Sequence, residues 1–565
     1  MSYACRRLSL RRSALYNGWQ MLLGGRYRRI RLPFACLLVC GALLADDRSD
    51  AVDRLLLPFR TQNAPGCAVG VVQNSQFVYR NAFGLADLEG PAPITTGTPF
   101  HVASISKQFT AAALFFLLDA GKVRLEDSAR RFVPELPSVA QDVTLADLLH
   151  HTSGLRDILP LLEAAGRPPQ ILDIAGNLKL LAAQSGLNFA PGTDYEYANS
   201  DYLLLGLIVE RVSGMTLADF ADKYIFAPLG MAHSAFPGGS KHLTGAALGY
   251  SARGAHFHHS VPPLVAGDGG LQSSVEDLAR WDDNFYSQTV GGKRLIDFLE
   301  EPGRLRSGLP VRYAAGLALG KFRGLPAIGH DGILPGSRSD LVRFPLQHLT
   351  VICLCNRGDA EASSLTREIA AIYLQGKLKH RLRVADFDYA TSGFPDLAGV
   401  WESKQGWILR AWSAIDGLSI SSPQGWYELA PLNRNQLFVE AGGGRVILTR
   451  LAPDRVRLDR NGGIPVLYDR LPIATPRPGE LESLAGEYHS TDADATWNFT
   501  AEGGRLVASI NGAWRIALDA AGPDRFAGGP WSLHFPHDAE GRVRGVELHR
   551  SRLWNLWFDR VERGN

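Results

Sequence analysis

Cysteine is scarce in this sequence: six in 565 residues, too few for a disulfide-stapled miniprotein. Net charge is almost absent as well. The 59 Lys and Arg side chains stand against 57 Asp and Glu, and a formal charge of +2 gives no global reason to expect a nucleic-acid partner. No Walker loop and no dinucleotide fingerprint occurs. What the chain has is bulk. With 45% hydrophobic and 21% charged residues, wholesale disorder is excluded. At roughly 100–200 residues per domain, about three domains are predicted, each able to bury its own core.

The charge balance is uneven along the chain. Residues 1–45 hold eight arginines, from Arg6 to Arg31, and no acid, which leaves 51 basic against 57 acidic side chains in the remainder. Leu32–Ala45 then runs through 14 mostly apolar residues into Asp46 and Asp47. A basic stretch, an apolar stretch shorter than the ~20 residues of a membrane span, and a small residue before acids is the layout of a secretory signal. Export to the periplasm or the exterior is expected, with an uncleaved N-terminal anchor as the alternative. The leader is longer than the usual ~15–30 residues, which points to Met21 as the true start. Lipidation at Cys40 is disfavoured by Val39 before it. Beyond the leader only Cys67, Cys353 and Cys355 remain. The last two share one face of the strand-like run Leu349–Asn356, where buried small apolar residues are expected rather than a metal or redox pair.

From about residue 50 to 380, apolar strand-like runs alternate with helical patterns. Pro65–Val72 and Gln76–Gly84 read as paired strands, and Ser339–Phe344 with His348–Asn356 as a second hairpin, followed by a helix. Strands at both ends with helices between predict an α+β domain whose sheet draws on both termini. After residue 390 the texture changes to short strands, Gly-rich turns and aromatics, with nine of eleven tryptophans between Trp401 and Trp557. Leu397-Ala-Gly-Val-Trp401 closes with Tyr468-Asp-Arg-Leu471, and Leu484-Ala-Gly-Glu-Tyr488 closes with Phe558-Asp-Arg-Val561. Matching ends at matching spacing predict two copies of one small antiparallel β-barrel, over residues 390–475 and 480–565. Most of the tryptophans are then barrel core rather than sugar-stacking platforms.

Three short segments carry chemistry. Phe100–Gly121 is apolar on nearly every face, which predicts a buried central helix, and Ser104 and Lys107 stand three apart at its start. There a serine can aim its own N–H at a developing oxyanion while a neighbouring amine manages its proton. Pro191–Tyr202 leads into a second apolar helix and holds Tyr197 and Asn199. A tyrosine beside Lys107 could be held partly as phenolate and act as base, with the Asn199 amide orienting a substrate carbonyl. In Ile328–Ser337, Gly332 permits close backbone approach, the N–H of Ile333 is a candidate second oxyanion donor, and His330 offers a polar side chain at the site edge. His256-Phe-His-His259 reads as a solvated loop rather than a metal site.

In this order and at these intervals, the three segments resemble the serine penicillin-recognising family: class C β-lactamases, DD-peptidases of the D-alanyl carboxypeptidase type, D-aminopeptidases and related esterases. The resemblance takes in Leu148–Leu155 and Gly267–Leu278 and covers roughly residues 50–380. It implies a β-lactamase/transpeptidase-like fold, Ser104 as acylated nucleophile, Lys107 and Tyr197 sharing base and acid duties, and Asn199, His330, Gly332 and Ile333 around the substrate. One departure stands out: His330-Asp331-Gly332 replaces the Lys-Thr-Gly of class C β-lactamases, as in some DD-peptidases and D-aminopeptidases. The two trailing β modules resemble the layout of D-aminopeptidases, in which the last barrel reaches toward the active site.

The implied protein is a serine hydrolase acting on D-amino-acid peptides, amides or esters, of cell-wall origin among others. It needs no metal or organic cofactor, and β-lactams could acylate Ser104. The alternatives are a DD-carboxypeptidase, a β-lactamase or a small-ester or lipid-side esterase of the same family. A glycan-binding protein with a vestigial hydrolase site is the reading from a different class.

Overall fold

The computed structural model describes residues 47–562, apart from 169–172, 255, 263–264, 380–383, 385–388, 390–391, 415–416, 424, 442–443, 461–463, 473–474, 477–478 and 512–513. The basic and apolar N-terminal segment, on which the expectation of export rests, lies outside the described residues. No helix among the described residues is long and apolar enough to cross a membrane.

Six strands form one antiparallel sheet: β1 (Cys67–Gln73), β2 (Gln76–Phe83), β3 (Ala318–Phe322), β4 (Leu325–Leu334), β5 (Ser337–Phe344) and β6 (Leu349–Cys355), in the order β2-β1-β6-β5-β4-β3. The sheet does draw on both ends of the domain, since β1 pairs with β6 from Cys67 opposite Cys355 to Gln73 opposite Leu349. The central strands are apolar without alternation because both faces are covered. Ala68, Val72, Ile352 and Leu354 join the core that contains α1 (Ser106–Asp119), α2 (Asn199–Ser213) and α3 (Val275–Ser287). Val69, Val71, Val351 and Cys353 point the other way, toward α4 (Ala362–Tyr373).

Cys353 and Cys355 are buried on one face, their sulfurs 3.6 Å apart, but Cys355 is more than a small apolar residue: it forms a disulfide with Cys67 directly across the strand pair. The partners are 288 residues apart in sequence, so only the strand order brings them together. The His256–His259 stretch is also not a loop. It is an exposed strand paired with Tyr250–Arg253, the chain reversing at Gly254, which has a φ of +60°.

Two closed eight-stranded barrels follow, from Gly399–Ser403 to Val466–Leu471 and from Gly486–Ser490 to Leu553–Arg560. Closure leaves no open sheet edge. The repeated end motifs have a physical explanation. Trp401 donates its indole N–H to the Leu397 carbonyl (3.1 Å), and Tyr488 donates its hydroxyl to the Leu484 carbonyl (2.9 Å). From the closing motifs, Arg470 and Arg560 lie over these two rings and donate to the carbonyls of Ala398 and Ala485. The intervening glycines, Gly399 and Gly486, have φ near +140°, a region that side chains oppose. Trp401, Trp407, Trp497, Trp531 and Trp554 are buried, whereas Trp412, Trp426 and Trp514 are exposed.

The second barrel docks on residues 155–168 and 173–188 of the first domain, with polar groups at the junction. Arg156, almost fully buried, pairs with Asp492 (2.7 Å) and donates to the carbonyls of Trp554 and Asn555. Trp497 donates to the Ala164 carbonyl (2.8 Å), and Asn188 exchanges hydrogen bonds with the backbone of Arg552 and Trp554. Arg156, Asn188 and Trp497 are buried and find their hydrogen-bond partners across the junction, which fixes the junction geometrically.

Candidate active site

A single 3₁₀ turn, Ala103–Ile105, precedes α1 and carries Ser104. Ala103 has a φ of +51°, a left-handed conformation that costs an alanine about 1–2 kcal/mol. β4 and β5 clamp the turn: Ser339 donates its hydroxyl to the Val102 carbonyl (2.8 Å), and Gly332 lies against the same backbone. A Cβ on Gly332 would stand 2.3 Å from Ser339 Oγ and 2.4 Å from Val102 O, so close approach requires glycine here. Ser104 thus heads a helix, where backbone N–H groups lack an intrahelical acceptor, and β4 carries the Ile333 peptide past it. The Ile333 side chain is 65% exposed and helps line a cleft of about 430 Å³ with Ser251, Leu334, Gly336, Arg338 and Asp359.

One turn on, Lys107 is completely buried. Its ammonium nitrogen lies 2.9 Å from Asn199 Oδ1, 2.5 Å from the Asp268 carbonyl and 3.3 Å from Ser104 Oγ. The first two can only accept. They therefore fix two N–H bonds and leave the third position of the nitrogen facing Ser104. Burial lowers the Lys107 pKa to about 8, against the partial opposing attraction of Asp268 and Asp157.

Tyr197 closes the other side, its hydroxyl 2.9 Å from Ser104 Oγ. Burial pushes this phenol well above its usual range, outweighing the Ser104 hydroxyl and the Arg552 guanidinium that favour its ionised form, and so favours the protonated hydroxyl over the partial phenolate expected. Behind the ring stand His151, with ring centres 4.4 Å apart, and Tyr313 at 6.0 Å. His151 pairs with Asp201 (2.8 Å), and burial holds its pKa well below the ordinary value.

Asn199, expected to touch substrate, is buried at the first position of α2 and has both ends of its amide engaged: Oδ1 on Lys107, Nδ2 on Asp157 (3.1 Å). Its arrangement orients the lysine. His330 is also buried rather than presented at an open edge, with Nε2 3.1 Å from the Tyr313 hydroxyl and Nδ1 2.6 Å from the Asp331 carbonyl, and burial lowers its pKa.

The structure therefore brings Lys107 and Tyr197 to the Ser104 hydroxyl, sets Asn199 behind Lys107, and places Gly332 against the turn that carries the serine. Sequence reasoning missed three members. Asp157 caps the helix Ile158–Ala164 and anchors Asn199; an aspartate just before an apolar run was a visible capping signal. The Asp268 carbonyl on Lys107 lies in a glycine-rich loop, where close backbone approach is the usual reason for glycine. Arg552, from the turn joining the last two strands of the second barrel, sits 5.0 Å over the Tyr197 ring and 3.3 Å from Asp157.

A nucleophile at a helix head, a buried amine three residues on and a tyrosine from a second segment define a serine hydrolase of the penicillin-recognising type. Residues 52–374 match the Beta-lactamase family model, more than half of the chain, and the protein belongs to that family. It is similar to a D-aminopeptidase of Cereibacter sphaeroides (strain ATCC 17029 / ATH 2.4.9), 28% identical over 526 residues that span 88% of this chain and 96% of the relative. A D-aminopeptidase of Brucella ovis is 28% identical over 515 residues, 86% of this chain and 93% of its own. The octameric penicillin-binding protein homologue from Pyrococcus abyssi superposes with a TM-score of 0.51 at 21% identity, over 78% of this chain and all of that one, a likeness of fold.

Proposed function

We propose that this serine hydrolase is exported and cleaves amide or ester bonds of D-amino-acid peptides, amides or esters through an acyl-Ser104 intermediate. The observation that carries the reading is the setting of Lys107, buried with two N–H bonds tied to acceptors and its remaining position facing Ser104 Oγ at 3.3 Å. At neutral pH about one tenth of such a lysine is the free amine, whose lone pair takes the Ser104 proton. Ser104 Oγ then bonds to the scissile carbonyl carbon, and the carbonyl oxygen, now negative, is met by the N–H groups of Ser104 and Ile333. As the tetrahedral centre collapses, the bond to the leaving amine or alcohol breaks. The leaving group takes the Tyr197 proton, and Lys107 returns a proton to the phenolate. Water, giving its proton to Lys107, adds to the acyl carbon; the bond to Ser104 Oγ then breaks, Lys107 returns the proton to that oxygen, and the acid leaves. The His330-Asp331-Gly332 form of the third motif and the names of the two relatives support D-amino-acid substrates over β-lactam turnover; β-lactams would still acylate Ser104.

Export is supported by the basic and apolar leader and by the Cys67–Cys355 disulfide, a bond that persists in oxidising compartments. The test is mass spectrometry with an active-site acylating probe, alongside D-alanine p-nitroanilide, a D-Ala-D-Ala peptide, nitrocefin and a short-chain ester. An adduct on Ser104 and loss of turnover in Ser104→Ala are expected. Full activity in that variant would overturn the reading.

A further inference from the structure

The second barrel adds a cation to the site. Arg552 stands in the two-residue turn between the strands Gly545–Arg550 and Leu553–Arg560 with a φ of +70°, a conformation that glycine or asparagine adopts more readily. Its backbone is fixed, because its carbonyl accepts from Asp157 N–H (3.1 Å) and from Asn188 Nδ2 (3.1 Å). Its side chain crosses to the catalytic domain and covers the ring of Tyr197, whose hydroxyl touches Ser104. One guanidinium nitrogen meets Asp157 at 3.3 Å, and the side chain remains 39% exposed although its ion-pair partner is completely buried. Asp157 also accepts from the N–H of Leu159 and from Asn199, so its oxygens are shared. Glu196, whose carboxylate accepts from the Arg552 backbone, is pushed by burial up to about 7 and is in part neutral at neutral pH.

We infer that Arg552 is a specificity-determining residue that binds a carboxylate of the substrate beside the acylated serine. A guanidinium has five donors in a fork that matches a carboxylate, and its attachment to a pinned turn pre-organises it. A substrate bringing a free ammonium to the same place meets two cations, Arg552 and the protonated fraction of Lys107. The inference rests on Ser104 being the acylated residue, and it narrows the substrate class to D-amino-acid peptides that carry a free carboxylate near the scissile bond.

The test compares kcat/KM for N-acetyl-D-alanyl-D-alanine with a free carboxylate and for its C-terminal amide, in the full-length protein and in Arg552→Gln, Arg552→Lys and Arg552→Glu. Wild type is expected to prefer the carboxylate. Arg552→Gln should cost the carboxylate substrate roughly 10- to 100-fold more than the amide, the range for losing one charge-assisted hydrogen bond. Arg552→Lys should restore part of the preference, and Arg552→Glu should invert it. Equal losses on both substrates would mean that Arg552 acts only by holding Asp157, and would overturn the inference. An unchanged ratio would overturn it too. In either event, labelling of Ser104 by a neutral ester probe would leave the acyl-serine reading standing, whereas no labelling in wild type would overturn both.

Discussion

Acylation should follow the ionisation of Lys107. The lysine nitrogen is buried, and its pKa falls from the ordinary 10.5 to about 8. Burial, partly offset by the attraction of Asp268 and Asp157, is what disfavours the ammonium. The sign follows directly: the free amine is the base, so activity grows as pH rises toward 8 and levels off above it. About one hundredth of the lysine is free at pH 6 and about one tenth at pH 7, so the acylation rate should climb about tenfold per unit over that range. No falling limb is expected up to about pH 10, because the Tyr197 phenol is pushed up and keeps its proton. The assay is single-turnover labelling of Ser104 by a neutral ester probe, followed by mass spectrometry from about pH 5.5 to 9.5, in wild type and in Tyr197→Phe. The variant should lose roughly 10²–10⁴-fold in turnover of poor leaving groups yet keep the limb near 8. A flat profile, or a limb that disappears with the tyrosine hydroxyl, would refute the assignment of Lys107 as base.

Three further outcomes follow from the geometry. Gly332→Ala puts a methyl group 2.3 Å from Ser339 Oγ, so it should cost about 1–3 kcal/mol in thermal unfolding and slow Ser104 labelling sharply; wild-type labelling would show that β4 does not clamp the nucleophile turn. Arg156→Ala removes the cation paired with Asp492 and two bonds to barrel carbonyls, leaving Asp492 only its Ser185 donors, and should cost about 2–4 kcal/mol, with limited proteolysis freeing the second barrel; an unchanged digestion pattern would place the docking energy elsewhere. Reduction of the Cys67–Cys355 bond should lower the melting midpoint of the catalytic domain by roughly 4–12 °C, and no change under reductant would argue against a formed disulfide.

The site was legible where chemistry depends on local spacing. Ser104 and Lys107 lie three apart on one helix, and helical geometry alone stacks them. The barrels were legible because the chain repeats itself: the same leucine carbonyl, glycine and aromatic ring recur with the same closing arginine. Where a contact depends on tertiary approach, the sequence is silent. Asp157 and Arg552 are 395 residues apart, and nothing in either neighbourhood announces the other. The Asp268 carbonyl carries no side-chain signature at all. Proximity of Tyr197 to a lysine is readable from motifs, but the depth of burial that pushes its phenol up is not.

The Cys67–Cys355 bond has a topological consequence. It joins the first strand of the sheet to the last, so the intervening chain is a covalent ring that contains Ser104, Lys107, Asp157, Tyr197, Asn199 and Asp268. A protease that cuts any one exposed loop within the ring converts it to an open chain without releasing a fragment. Arg552 lies outside the ring. A nick between the sheet and the barrels would leave the residues of the ring covalently joined and sever only the covalent link to the barrel that brings Arg552 to them.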